Sequence, residues 1–308
     1  MKVGIFADGI WGLNTIKILF LDKNFKIDFI VLRKKKDLKI VKFCKQKKII
    51  FFCFNNVNSK KSINTLKKFN SELLVSMSYN QIFKKNFIKF AKKKLINCHA
   101  GALPFYRGRS PINSAIINGE NKIGITTHLV SYKIDQGDIL DQEFIKINKK
   151  DNFKSILRKC YKHCPIQLYR VIKKFKYGTI KAIKQSSISK KGTYYYKRKK
   201  GDELINFNNN FEKLDNFIRG LVFPSVGATF YFKRSPYVTL RTNFSAKISK
   251  NNNIINGTIL NVSKKKLKIK ILDSTVYFSN IFSKKNKCYL DDYRKIFKKN
   301  FLLKGKNA

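Results

Sequence analysis

The sequence predicts an α/β fold with a doubly wound, mostly parallel sheet, followed by a smaller β-rich region. Three observations carry that expectation. Short apolar runs alternate with segments of helical period from Val3 to Ile147. The first run ends in a glycine turn that opens a helix, the start of a βαβ unit. After about Lys190 the helical periods give way to short strands separated by Asn and Lys turns.

In order, Val3 to Phe6 reads as a strand and Gly12 to Phe20 as the helix after the Ala7-Asp8-Gly9 turn. Strands follow at Ile27 to Leu32, Ile49 to Phe54, Leu73 to Ser76 and Leu95 to His99, with helices near Leu38 to Gln46, Ser59 to Phe69 and Lys84 to Phe90. A short helix begins at Pro111, and strands cover Ile123 to Leu129 and Ile139 to Ile147. Asp151 is a good N-cap for a helix whose apolar positions repeat to Phe175, bent at Pro165. A helix at Phe211 to Leu221 precedes strands at Thr229 to Phe232, Val238 to Arg241, Ile255 to Val262, Leu267 to Leu272 and Val276 to Phe278, a small antiparallel barrel or sheet. The expected division is a first domain over 1–190 and a linker helix with a β domain over 191–308.

The glycine turn does not make a dinucleotide site. Gly9-Ile10-Trp11-Gly12 is not GxGxxG, and the second strand runs into Arg33 and lysines where a ribose would need an acidic residue. The formal charge of +49, from 67 Lys and Arg against 18 Asp and Glu, suits a polyanionic partner. The basic residues, however, are spread through every segment and travel with abundant Asn, Ile and Phe, which fits a composition bias better than one patch. Salt-sensitive adhesion to polyanions is expected either way. Six cysteines show no disulfide framework, no stretch approaches the roughly 18 to 20 apolar residues of a membrane span, and Met1-Lys2 leads directly into a strand rather than a secretory signal. A cytoplasmic protein is expected. Cys160, His163 and Cys164 share one face of a helix and read as packing residues, so no metal site is expected.

Chemistry concentrates between Asn97 and Asp138, which holds two of the three histidines. In a strand ending at His99, alternation points Asn97 and His99 to one face. Open α/β sheets place their ligands at the carboxyl ends of strands. Asp135, in a glycine-containing turn, can bring a carboxylate beside the imidazole. The same residues are also ordinary satisfied polar groups, and Asp135 before Gln136-Gly137 is good turn chemistry.

The separated motifs Asn97-Cys98-His99, Leu103-Pro104, Tyr106-Arg107-Gly108-Arg109-Ser110-Pro111, Ile116-Ile117-Asn118-Gly119-Glu120, Gly124-Ile125-Thr126 and Asp135-Gln136-Gly137-Asp138 occur in one order. In that order they resemble the N10-formyltetrahydrofolate-dependent formyltransferases, the family of methionyl-tRNA formyltransferase and the sugar N-formyltransferases. The likeness continues more weakly through Thr193-Tyr194-Tyr195-Tyr196 and Pro224-Ser225-Val226-Gly227-Ala228 into a region similar to the family's OB-like domain. The resemblance implies a Rossmann-like first domain and transfer of a formyl group from N10-formyltetrahydrofolate to a primary amine through a tetrahedral intermediate. It implies His99 as acid/base, Asn97 as donor to the oxyanion, and Asp135 as the carboxylate that fixes the imidazole tautomer and raises its pKa. Folate contacts carry over onto Gln81, Ile82 and Phe83, onto Gly101, Ala102, Leu103 and Pro104, and onto Arg109, Ser131, Tyr132, Lys133 and Ile134.

The acceptor is expected to be a nucleotide-linked amino sugar, with Met-tRNA as the alternative. The long basic insertion that tRNA enzymes carry after the second strand is missing: Leu32 passes through Arg33 to Lys36 almost at once into the next helix. Arg107-Gly108-Arg109-Ser110-Pro111-Ile112-Asn113 also looks more like the sugar enzymes. A non-catalytic folate- or RNA-binding relative is the reading of a different class, and a homodimer is compatible with the resemblance.

Overall fold

A computed structural model of the chain describes residues 1–33, 37–248 and 253–306. The chain divides into two compact units, one of Met1–Pro111, Ile123–Ile145 and Arg158–Tyr195, the other of Ile112–Lys122, Lys146–Leu157 and Tyr196–Ala308.

In the first unit, strands β1 (Lys2–Ala7), β2 (Lys26–Leu32), β3 (Phe51–Cys53), β4 (Leu73–Met77) and β5 (Leu95–His99) alternate with helices α1 (Gly9–Leu21), α2 (Leu38–Gln46), α3 (Lys60–Lys67) and α4 (Lys85–Ala91). A two-residue strand β6 (Arg107–Gly108), strands β7 (Lys122–Leu129) and β8 (Ile139–Lys146), helix α6 (Phe153–Lys176) from Arg158 on, helix α7 (Gln185–Ile188) and strand β9 (Tyr194–Tyr195) follow, while helix α5 (Pro111–Ile117) falls, after Pro111, in the second unit. The seven-stranded sheet has the order β3-β2-β1-β4-β5-β7-β8. Strands β1 to β5 are parallel, and β7 runs antiparallel to β5. This is the mostly parallel, Rossmann-like sheet that the alternation predicts. Its strands β1, β2 and β4 are near-continuous apolar runs because both faces are covered. Aromatic rings fill one side: Phe6 meets Phe29, Phe83 and Phe87 at centroid distances of 6.1, 5.1 and 5.4 Å.

Several boundaries differ from the sequence expectation for physical reasons. Strand β3 is shorter than Ile49 to Phe54, since it is the edge of the sheet and pairs only with β2. Helix α6 is capped by Asn152 rather than Asp151. Asn152 Oδ1 accepts from the Ser155 N–H at 3.1 Å, while Ser155 Oγ accepts from the Asn152 N–H at 3.0 Å, a reciprocal cap. The helix continues through Pro165. That proline denies the Tyr161 carbonyl its i+4 partner, and Asn14 Nδ2 donates to it at 3.1 Å. Cys160 and Cys164 are fully buried, but His163 is not on their packed face: it is half exposed, with Nδ1 3.4 Å from Glu143.

In the second unit, helix α8 (Phe211–Leu221) precedes strands β10 (Ala228–Phe232), β11 (Ser235–Lys247), β12 (Ile259–Val262), β13 (Leu267–Lys270), β14 (Ser274–Ser283) and β15 (Cys288–Tyr289). They form an antiparallel sheet in the order β10-β11-β14-β13-β12, with β15 on β14. Strand β12 begins at Ile259 instead of Ile255, after Gly257 turns the chain at φ +95°. Phe230, Phe278 and Phe297 form its core with Leu214, Ile218 and Leu221 of α8. Among the described residues no helix is long and apolar enough to cross a membrane.

Candidate active site

Strand β5 ends at His99, and its register against β7 pairs Asn97 with His128 and His99 with Thr126. Alternation therefore brings one amide and two imidazoles together on neighbouring strands. Asp135 completes the group. Its backbone sits in the left-handed region, at φ +54°, and one carboxylate oxygen accepts from the Gly108 N–H at 2.8 Å while lying 3.8 Å from His99 Nδ1. The other lies 3.6 Å from His128 Nε2. Asn97, His99 and Asp135 are the site residues expected from the sequence, and His128 joins them here. The signal was available, since His128 is the other histidine of the same segment and shares its strand face with Thr126.

Each ring has a defined orientation. Nε2 of His99 is 2.7 Å from the Tyr106 carbonyl and Nδ1 faces Asp135. Nδ1 of His128 is 2.8 Å from the Leu129 carbonyl, which can only accept, so that nitrogen carries a proton. Asn97 Nδ2 lies 3.3 Å from His128 Nε2. Burial pushes the Asp135 carboxyl up, but His99, the hydrogen bond and charge of His128, and the Gly108 amide together hold it well below the usual carboxylate range. A carboxylate with a lowered folded-state pKa contributes stability that is present above its unfolded value, about 4. That stability is lost as the pH falls through the folded value. Denaturation measured from about pH 2 to pH 6 should therefore show stability rising with pH, and Asp135→Asn should flatten that rise.

Two glycines allow the close approach. A Cβ on Gly101 would lie 2.6 Å from His99 Nε2 and 2.7 Å from the Tyr106 oxygen, so a side chain here would push the imidazole off its carbonyl. A Cβ on Gly137 would lie 1.7 Å from the Leu129 oxygen. Gly137→Ala should destabilise the protein by about 1–3 kcal/mol or more, read as a lower denaturation midpoint.

The expected folate residues divide by exposure. Gln81 is committed to the chain after β3: its Oε1 accepts from the Val57 N–H and its Nε2 donates to the Phe54 carbonyl, both at 2.8 Å. Phe83 is a core ring, and Leu103 is buried. The Gly101 and Leu103 carbonyls accept from Thr126 Oγ1 at 2.7 Å and Gln142 Nε2 at 2.9 Å. Ser131 Oγ donates to the Lys133 carbonyl at 3.0 Å. Side chains left facing solvent are those of Ile82, Arg109, Tyr132 and Ile134, with Lys133 beside them and Ala102 half-buried. Pro104 is buried.

The first unit also carries a crevice of about 700 Å³ lined in part by Asp8, Trp11, Arg33, Asp37, Ser78 and Tyr161. It opens where the strand order reverses between β1 and β4, the usual ligand position in such sheets. Asp37 fills the start of α1, its carboxylate accepting from the Gly9 N–H at 2.7 Å. Asp8 faces Arg33 at 3.7 Å, and burial pushes its carboxyl up against the opposing pull of Arg33. Trp11 and Tyr161 meet edge to face at 5.3 Å. Strands β4 and β5 pair through Met77 and Cys98, the residues just before Ser78 and His99, so the crevice reaches within one strand of the imidazole.

Such a constellation, an amide donor and an imidazole backed by a carboxylate at a strand end, is that of an acyl-type group transferase. Residues 24–172 match the family model described as formyl transferase, and 197–298 match the formyl transferase C-terminal domain. The chain belongs to the formyl transferase family. It is 34% identical over 266 residues to the bifunctional polymyxin resistance protein ArnA of Wigglesworthia glossinidia brevipalpis, covering 84% of this chain and 39% of that one. It is 36% identical over 158 residues to the methionyl-tRNA formyltransferase of Thermodesulfovibrio yellowstonii, covering 51% of this chain and 50% of that one. The chain thus spans half or less of the length of these two relatives. Among solved structures, the sugar 3N-formyl transferase WlaRD, crystallised in the presence of dTDP and 5-N-formyl-THF, superimposes with a TM-score of 0.68 at 18% identity, covering 91% of this chain and 97% of that one.

Proposed function

We propose that the protein transfers a formyl group from N10-formyltetrahydrofolate to the primary amine of a nucleotide-linked amino sugar, with catalysis in residues 1–190. The observation that carries this reading is the meeting of Asn97, His99 and Asp135 at the end of β5. The acceptor amine attacks the formyl carbon, and the carbonyl oxygen becomes an oxyanion that Asn97 Nδ2 stabilises as a donor. His99 takes the amine's proton and returns one to the departing folate nitrogen, while Asp135 holds the ring. Exposed Ile82, Arg109, Tyr132 and Ile134 would meet the folate.

The crevice is left for the acceptor, because none of its lining residues is among those assigned to folate. Its carboxylates suit the amine and hydroxyls of a sugar, and Trp11 offers an apolar face to a sugar ring. The connection from β2 to α2 also favours a sugar nucleotide. It holds only residues 33–37, too few for a tRNA-binding insertion, although the expectation drawn from residues 34–36 lies outside the described residues. The relatives named above include both acceptor classes, so Met-tRNA is the second reading, favoured by the charge of +49. A reaction in the cytoplasm would fit either. Incubation with N10-formyltetrahydrofolate and both acceptors in parallel separates them: formylated amino sugar is the expected product, and formylation of Met-tRNA alone overturns the assignment.

A further inference from the structure

We infer that Gln185 is a positioning residue for this reaction, a side chain that holds both loops fixing Asp135. The inference rests on the formyl-transfer reading of the site. Gln185 opens α7, is 4% exposed, and uses its whole hydrogen-bonding capacity. Its Nε2 donates to the carbonyls of Asp135 and Gly137, both at 2.8 Å. Its Oε1 accepts from Arg107 Nε at 3.0 Å and Arg107 Nη2 at 2.6 Å.

The two pairs of bonds act on one carboxylate. Donation to residues 135 and 137 ties down a turn whose central residue, Asp135, is a non-glycine held at φ +54°. Such a conformation persists only where its surroundings fix it. The bonds from Arg107 hold the next residue, Gly108, whose N–H donates to the Asp135 carboxylate at 2.8 Å. Remove the amide and three partners lose their bonds at once, while Asp135 loses both the turn that aims it and the donor that pins it. Its distances to His99 and His128 are already 3.8 and 3.6 Å, so a small further displacement uncouples the carboxylate from both rings. A misplacement of about 1 Å at a reacting group costs up to roughly a hundredfold in rate.

The test compares the full-length protein with Gln185→Glu, which keeps the acceptor for Arg107 but loses both donors, and Gln185→Leu, which loses everything. Expected are a kcat for formyl transfer lowered roughly tenfold to a hundredfold and a KM for the folate within about twofold of wild type. A purely structural role would lower thermal stability yet leave the kcat of the folded fraction unmoved, and that result overturns the inference. A second readout needs no turnover. In protein with 15N-labelled histidine, Gln185→Glu should shift the ring-nitrogen signals of His99 and His128 and leave those of His163 in place. Unmoved His99 and His128 signals in a folded variant overturn the positioning role. An inactive wild-type protein whose Gln185→Glu variant still shifts those signals places the failure in the formyl-transfer reading instead.

Discussion

His99→Ala is expected to lower formyl transfer by roughly 10²- to 10⁴-fold, the usual worth of a positioned acid/base, without unfolding the protein. The ring is almost buried, but it reaches the rest of the protein mainly through Tyr106 and Asp135. Its loss removes the imidazole assigned to receive the amine's proton. A circular dichroism spectrum and a denaturation midpoint close to wild type should accompany the lost rate. Near-normal turnover by the folded variant would take His99 out of the reaction.

Asn97→Ala should cost on the order of 10²- to 10³-fold in kcat, as removal of one oxyanion donor does, with little change in KM. The structure gives a reason for the amide's orientation. The Leu129 carbonyl, 2.8 Å from Nδ1, fixes the orientation of the His128 ring, and Asn97 Nδ2 lies 3.3 Å from its Nε2. The amide nitrogen is thereby held on the strand face that carries both imidazoles, in place to donate to the developing oxyanion. Asn97→Asp, similar in size but without the donor, should be as slow as the alanine variant. An aspartate variant that retains most of the rate would show that the side chain fills space rather than donates.

Much of the first unit was legible because its signals are local. Period and turn chemistry place α2 and β5 from Leu38 and Leu95, and Asn97 with His99 follows from strand alternation alone. What escaped depends on distant partners. His128 becomes part of the site through the pairing of β5 with β7, which the sequence does not state. Gln185 lies between α6 and a basic, aromatic stretch with no period to mark it, and its role exists only through Arg107, Asp135 and Gly137. In the sequence, the residues of the crevice at Asp8 and Arg33 show only as a failed dinucleotide site. Its own carboxylate from Asp37, which fills the helix start, belongs to another element. Conversely, Gln81 and Phe83 fall where the family resemblance puts the folate, yet their side chains are used within the protein. That commitment is visible only once the loop after β3 is in place.

The central claim is that Asn97, His99 and Asp135 act as one unit in formyl transfer. The most direct measurement is the single-turnover rate from N10-formyltetrahydrofolate to the accepted amine, for wild type, His99→Ala and the triple variant Asn97→Ala, His99→Ala, Asp135→Asn. Groups that act together are far from additive when removed. The account predicts measurable transfer by wild type and a triple variant about as slow as His99→Ala alone. Wild-type protein that transfers formyl to no amine, or a triple variant that keeps the wild-type rate, would contradict it.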